Sequence, residues 1–465
     1  MLICISGSSG VGKTTISRLL SLLLGESECV CLSGDDLHLW ERNDPAWDSM
    51  THLDPRANDI CLGRKHIASL LDGDSIQRRK YNHATGKFDA AETIVPTKHI
   101  IYEGLHALHD DAVLSMADLC IFVDTENDLK TEWKIKRDTK KRGYTQSQVL
   151  ETMTRRRKDE VEYILPQRRN ADAIVKFSKT RDGFISLDYV SISQRGTELL
   201  ISLKEFYESL TEFLTACKWI SMDPSLVQGK GGNISVKSES GMIVKSSGCK
   251  MSEVSIATGF CVCSLPKRFP KFNCEQAYGE FLNASRKSGV GNPSMETGFH
   301  ASNANRVVIH THPIHLNAIL CSEQAEEIVE SLFSDLPYVF VPYCRPGMNL
   351  SNELSESHSI VFLENHGLIV SAPTAQQAFE TTERINNRCR RWLSNHIESF
   401  VDLGGRNAAR PLFPDAAVLP EDMSATNDYI LGLAIGACLT PKFLSDAEIR
   451  SLNDMESEKY RKSKS

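Results

Sequence analysis

The chain opens on an unbroken apolar run, residues 2–6 (LICIS), that ends at a glycine-rich turn, and beyond the turn TTISRLLSLLL repeats apolar residues at helical spacing. A strand, a loop and an amphipathic helix are the order this pattern predicts. Further apolar runs at 29–32 (CVCL), 99–102 (HIIY) and 119–123 (LCIFV) alternate with helical stretches. Such runs predict a mostly parallel sheet covered by helices, an α/β unit. Residues 128–170 are helical and strongly basic, with Lys134, Arg137, Lys141, Arg142 and Arg155–Arg157 among them. A run of this kind is ordinarily a solvated face; beside a phosphate-binding turn it becomes a candidate lid. Residues 178–200 change to strand-like alternation bounded by glycines, and an amphipathic helix starts near Leu203. The boundary is therefore expected near 200, giving domains 1–200 and 201–465. No internal repeat relates the two halves, so two unrelated domains fit better than a duplication.

Length agrees with two domains, since 465 residues exceed what one hydrophobic core usually supports. A net charge of -7 argues against a general nucleic-acid binder, which needs a basic surface. No apolar run approaches the roughly 20 residues of a membrane span. The first glycine of the turn is already at position 7, which leaves no room for a cleaved leader, so the cytoplasm is expected. The 14 cysteines lack CxxC spacing, and the C-x-C pairs Cys29/Cys31 and Cys261/Cys263 lie in apolar stretches that predict burial.

Chemistry enters with Gly7-Ser8-Ser9-Gly10-Val11-Gly12-Lys13-Thr14, which satisfies G-x-x-x-x-G-K-[ST] between a predicted strand and a predicted helix. Backbone N–H groups of such a loop cradle nucleotide phosphates, the lysine reaches the β- and γ-phosphates, and the hydroxyl binds Mg²⁺. Gly7, Gly10, Gly12, Lys13, Thr14 and Thr15 are the candidate ATP-binding residues, with ATP·Mg²⁺ the implied cosubstrate.

Downstream, residues 1–180 resemble the uridine kinase and phosphoribulokinase family of P-loop NTPase-fold enzymes. S-G-D-D-L-H (33–38), Y-E-G-L-H-A-L (102–108), I-K-R-D-T-K-K-R-G (135–143) and L-P-Q-R-R-N-A-D (165–172) carry the resemblance. It implies that Asp35 accepts the acceptor's hydroxyl proton, with Asp36 the fallback. It implies Glu103 beside Thr14 in the Mg²⁺ shell, Arg137 and Arg142 on the transferring phosphate, and Tyr81 and His83 near the acceptor. The acceptor expected is a sugar or nucleoside-like hydroxyl.

In the second half, R-V-V-I-H-T-H-P (306–313) places His310 and His312 two apart at the end of an apolar run, and I-V-F-L-E-N-H-G (360–367) places His366 at the end of another. Strand positions i and i+2 share a face, so His310 and His312 can reach one ion, and three imidazoles leave coordination positions open as in a catalytic zinc site. V-Q-G-K-G-G-N-I-S-V-K (227–237), I-V-K-S-S-G (243–248) and P-S-M-E-T (293–297) precede these motifs, and together they resemble the class II aldolase/adducin superfamily. That resemblance implies an α/β domain with a central sheet flanked by helices. It implies Zn²⁺ on His310, His312 and His366, Glu296 as the acid/base, and Asn233, Ser247, Gly248 and Ser294 around a substrate phosphate. It also implies a homo-oligomer, commonly a tetramer, and a tyrosine near the C-terminus for which Tyr429 and Tyr460 are both available.

The combined expectation is a bifunctional enzyme: a kinase for a small sugar, joined to a zinc-dependent lyase that cleaves a sugar phosphate. A 3-oxo sugar-acid phosphate decarboxylase and a pentulose-phosphate 4-epimerase share the zinc chemistry, although the epimerases carry aspartate where this chain has Glu296. A non-catalytic adducin-like module is the alternative of another class, and the retained histidines count against it. Met295 stands where many relatives have a second serine, which puts one phosphate contact in question.

Overall fold

All five side chains of Leu2–Ser6 are buried, as those of a strand covered on both faces of its sheet must be. The computed structural model describes residues 1–264, 266, 270–354, 358–397, 399, 401, 403 and 410–463. They form two compact units, 1–208 and 209–465. The division falls inside a helix, Thr197–Ser221, that begins upstream of the start expected near Leu203.

Numbering only the strands of the two large sheets, the first unit holds β1 (Leu2–Ser6), β2 (Cys29–Ser33), β3 (His99–Glu103), β4 (Leu119–Thr125), β5 (Ala173–Lys179) and β6 (Ile185–Ile192). Their order is β6-β5-β4-β1-β3-β2, and every pairing is parallel except β5 with β6. The apolar runs thus become the parallel core, and the alternating stretch becomes the antiparallel edge strand. Helix Lys13–Leu24 packs on β1, β2 and β3 through Ile16, Leu19, Leu20 and Leu23. It starts after Gly12 and stops at Gly25, both at positive φ, where a side chain would be strained. The basic stretch becomes two helices, Asn127–Arg142 and Gln146–Asp159. Gly143, at φ 74°, ends the first, and a reciprocal Thr145–Gln148 capping box begins the second.

The second unit holds β7 (Asn233–Ser238), β8 (Gly241–Lys245), β9 (Phe260–Cys263), β10 (Arg286–Gly289), β11 (Val307–Thr311), β12 (Val339–Val341), β13 (Ile360–Leu363) and β14 (Gly367–Ala372). The order is β10-β9-β8-β7-β11-β14-β13-β12. Only β12 and β13 run parallel. Helices Ala375–His396 and Ile314–Leu320 pack on the central strands, and the opposite face buries Val308 and Ile369 against Phe299 and Leu350. The sheet is central and helix-flanked, so both units are α/β.

Burial of the C-x-C pairs divides. Cys261 and Cys263 are buried, whereas Cys29 is half-buried and Cys31 exposed. β2 is the edge strand, and Cys31 faces a cleft instead of a neighbouring strand. Among the described residues no helix is long and apolar enough to cross a membrane.

Candidate functional site

Parallel strands deliver their C-terminal ends to one edge of the sheet, and the first unit builds a cleft of about 730 Å³ there. The loop after β1 turns at Gly7, Gly10 and Gly12, all at positive φ. Closeness matters as much as φ: a Cβ on Gly7 would lie 2.3 Å from the Val123 carbonyl oxygen, and one on Gly12 2.8 Å from the Phe177 ring. Lys13 Nζ donates to the carbonyls of Gly7 and Ser8 at 3.0 Å each. Thr14 Oγ1 donates to Glu103 Oε1 at 3.2 Å, joining the loop to the end of β3. Burial raises the Glu103 carboxyl and the nearby Asp35 charge adds to this, while Lys13 and Thr14 oppose it.

β2 ends beside β3, where the backbones of Gly34 and Gly104 approach so closely that an added Cβ on Gly34 would sit 3.0 Å from Gly104 Cα. This contact presents Asp35 to the cleft. His83 Nε2 lies 3.0 Å from Asp35 Oδ2 and His38 Nε2 lies 3.9 Å from Oδ1. Burial pushes Asp35 up, but the His83 hydrogen bond and the His38 and Lys13 charges outweigh it and hold the carboxyl well below its usual range. Asp36 also lines the cleft but has different partners. It accepts from Arg78 Nε at 3.1 Å and from the Tyr81 backbone N–H at 2.8 Å, a buried structural role. Tyr81 packs edge-on against His38 and His83.

Over the loop, Asp138 gathers three cations: Lys134 Nζ at 3.1 Å, Arg137 Nε at 2.8 Å and Arg142 Nε at 3.5 Å. Lys134 and Arg137 both reach Ser9 Oγ, at 3.3 and 3.4 Å. Burial lowers Lys134 to about 8 against the pull of Asp138. Further along the wall stand Arg42, Lys80, Lys141, Arg155 and Arg156. Thr15 lies on the first turn of the helix and does not line the cleft. Asp138 and His38 lie inside the motifs at 135–143 and 33–38 without having been assigned a role from sequence, and Arg42 lies outside them.

In the second unit, β11 and β14 are antiparallel neighbours, and this register brings the histidines together. His310 is the penultimate residue of β11, His312 follows the strand, and His366 precedes β14 in a turn where Asn365 adopts φ 52°. His310 Nε2 lies 3.0 Å from His312 Nε2 and 3.3 Å from His366 Nε2, and all three rings are buried. Nitrogens bound at 2.0–2.1 Å around a tetrahedral Zn²⁺ would stand about 3.3 Å apart, which the two separations from His310 match, and the three donor atoms all lie within 4.8 Å of one another. His310 Nδ1 is 3.0 Å from the Leu368 carbonyl, an arrangement that puts its proton on Nδ1 and leaves the Nε2 lone pair facing the other rings. Burial, with the neighbouring imidazoles, lowers His310 far below its ordinary value, and burial lowers His366 to about 3. Neutral rings are the metal-binding form.

Glu296 Oε1 lies 3.5 Å from His310 Nε2 and 3.6 Å from His366 Nε2. Burial raises it to about 7, with Asp415 and Glu458 adding to the rise and His312 and Arg461 opposing it. Ser247, Gly248 and Ser294 line the small cavity at this centre, together with Lys230, Lys245 and Arg461. Asn233 does not line it; it pairs in register with His310 beneath the wall, and its Nδ2 is buried without a partner. Met295 turns to the C-terminal helix, with Sδ 3.9 Å from Ser457 Oγ. Tyr429 is 43% exposed, and Tyr460 lines a neighbouring cavity of about 840 Å³. Asp415 Oδ2, 3.1 Å from His312 Nδ1, and Arg461 were not singled out from sequence.

Comparison with known proteins agrees with this division. Residues 2–183 match the phosphoribulokinase/uridine kinase family, and residues 211–393 match the class II aldolase and adducin N-terminal domain. The phosphoribulokinase of Synechocystis sp. is 38% identical over 181 residues, covering 39% of this chain and 54% of that protein. The uridine kinase of Ligilactobacillus salivarius is 31% identical over 184 residues, covering 38% of this chain and 84% of that enzyme. Among solved structures, the N-terminal class II aldolase domain of a conserved Thermoplasma acidophilum protein aligns at TM-score 0.34 and 23% identity, over 39% of this chain and 92% of that one. The chain spans about half the length of the phosphoribulokinases it matches. It belongs to the phosphoribulokinase/uridine kinase family through its first unit and carries a class II aldolase/adducin domain in its second.

Proposed function

We propose that the chain is a bifunctional enzyme, an ATP-dependent kinase of a small sugar phosphate in its first unit and a zinc-dependent sugar-phosphate aldolase in its second. The observation that carries the second activity is the meeting of three buried imidazoles, two from the end of β11 and one from the turn before β14, with a carboxylate oxygen of Glu296.

In the kinase cleft, the loop amides and Lys13 hold the β- and γ-phosphates, Thr14 and Glu103 serve Mg²⁺, and Lys134, Arg137 and Arg142 close on the transferring phosphoryl group. Asp35 receives the acceptor's proton, and His83 fixes its orientation. The extra cations Arg42, Lys141, Arg155 and Arg156 exceed what a neutral sugar needs, so the acceptor carries an anionic group of its own. The relatives' name, phosphoribulokinase, fits a phosphorylated ketose.

In the second unit, a Zn²⁺ on His310, His312 and His366 supplies Lewis-acid stabilisation of the negative charge left when a carbon–carbon bond opens. Glu296 exchanges the proton on the reacting carbon. Ser247, Gly248 and Ser294 seat the substrate phosphate through hydroxyls and backbone N–H groups. Arrival in the cytoplasm and assembly into a homo-oligomer belong to the same proposal, as does a domain boundary near 200.

Product analysis tests it. Ketose phosphates supplied to the purified chain should yield an aldehyde and a triose phosphate, and a chelator should stop the reaction. Release of CO₂ from a sugar-acid phosphate, without aldehyde from any ketose phosphate, would replace the aldolase reading.

A further inference from the structure

The strand motifs do not complete the histidine centre. His312 Nδ1 lies 3.1 Å from Asp415 Oδ2, and the other carboxylate oxygen of Asp415 accepts from Arg461 NH1 at 2.6 Å. Arg461 NH1 also lies 3.5 Å from Glu458 Oε1. Asp415 sits on the helix Pro414–Val418 and Arg461 on the helix Glu456–Lys462, both beyond the 211–393 span that matches the aldolase/adducin domain. The side chains of His312, Asp415, Glu458 and Arg461 are 5%, 4%, 3% and 12% exposed, so the row of charges is almost wholly removed from water.

We propose that Asp415 and Arg461 form a positioning pair that holds the His312 ring for metal binding, so that the C-terminal helices complete the metal centre. This rests on the metal reading above. A buried salt bridge between two helices needs only its two partners. Here the carboxylate is shared, one oxygen hydrogen-bonded to the arginine and the other within ion-pair distance of a ligand ring. A carboxylate facing Nδ1 keeps the proton on that nitrogen and leaves the Nε2 lone pair at the point where His310 and His366 also aim. Arg461, hydrogen-bonded to the other oxygen, stops the Asp415 side chain from rotating away.

The backbone is arranged around this contact. A Cβ on Gly231 would lie 2.6 Å from Asp415 Oδ2 and 2.9 Å from His312 Nδ1, so glycine is what allows the pair to meet. The loop that carries Gly231 leads into β7, the strand paired with β11, which places the gap over the same ring.

Competition between the full-length protein and a chromophoric chelator for Zn²⁺, with the visible spectrum of the Co²⁺-loaded form as a second readout, tests the pair. Asp415→Asn should weaken metal binding about 10–100-fold and alter the Co²⁺ bands, effects separate from the lower metal-free melting temperature that follows from removing one charge of the buried Asp415–Arg461 pair. Arg461→Gln should shift affinity in the same direction by less, and Asp415→Glu should recover part of what Asp415→Asn loses. Arg461→Gln leaves His312 and Asp415 in place, so it reads the same coupling if Asp415→Asn does not fold. A wild type that binds metal, with variants of unchanged affinity and unchanged Co²⁺ bands, overturns the positioning role and leaves the metal site standing. A wild type that binds no metal overturns both.

Discussion

The Thr14 hydroxyl donates to Glu103 Oε1 at 3.2 Å, so the end of the phosphate loop and the end of the adjacent strand present one oxygen-rich point. Both are hard oxygen donors of the kind Mg²⁺ takes. Glu103→Gln should therefore raise the Mg²⁺ concentration needed for half-maximal kinase activity by about tenfold, the equivalent of one lost charged contact at ~1.4 kcal/mol. An unchanged Mg²⁺ dependence would remove Glu103 from the metal shell.

Two neighbouring aspartates separate by function. Asp35→Asn should lower kcat by about 10²–10⁴-fold with ATP binding retained. Asp36→Ala breaks a buried pair with Arg78, whose side chains are 2% and 9% exposed, and should cost about 3–5 kcal/mol of stability. Urea melts and steady-state rates on both variants check this; a stable Asp36→Ala enzyme without activity would reverse the roles.

The Asp35 carboxyl is held below its usual range, so it keeps its charge as pH falls through the ordinary carboxylate values and loses it only below them. A carbon-13 carboxyl titration should show no protonation of Asp35 between neutral pH and pH ~4. Protonation within that interval would contradict the His83 contact.

Lys134 loses its proton near 8, so kinase activity that depends on its charge should fall as pH rises through that value. Asp138 is what raises Lys134 against burial; Asp138→Asn should therefore move the alkaline limb to lower pH and raise KM for ATP. A limb that stays in place would detach Lys134 from phosphate binding.

The parts of this molecule that were legible in sequence are those written in consecutive residues. The phosphate loop needs its glycines at fixed spacing, and the run Leu2–Ser6 before it can only be a buried strand. The paired histidines announced themselves because a strand returns to the same face every second residue. The preference for Asp35 over Asp36 came from the S-G-D-D-L-H motif, whereas the Arg78 partner of Asp36 is a tertiary contact that no local pattern reveals. Cys31 was misjudged because periodicity says that a face is apolar without saying whether another strand covers it. Asp415 and Arg461 were invisible for the same reason: each is an ordinary charged residue on a short helix, and only packing brings them to His312. Asn233 is a motif residue whose register opposite His310 and whose buried, unpartnered Nδ2 come from sheet pairing that spacing alone does not give.

Exchange of one residue in each unit tests the account most directly. Lys13→Ala should reduce phosphorylation by at least about 10²–10³-fold and leave cleavage of supplied sugar phosphate intact. His310→Ala should remove stoichiometric zinc and cleavage while phosphorylation continues. Folded variants that each lose both activities, or a His310→Ala protein that still cleaves at the wild-type rate, would contradict two independent sites in one chain.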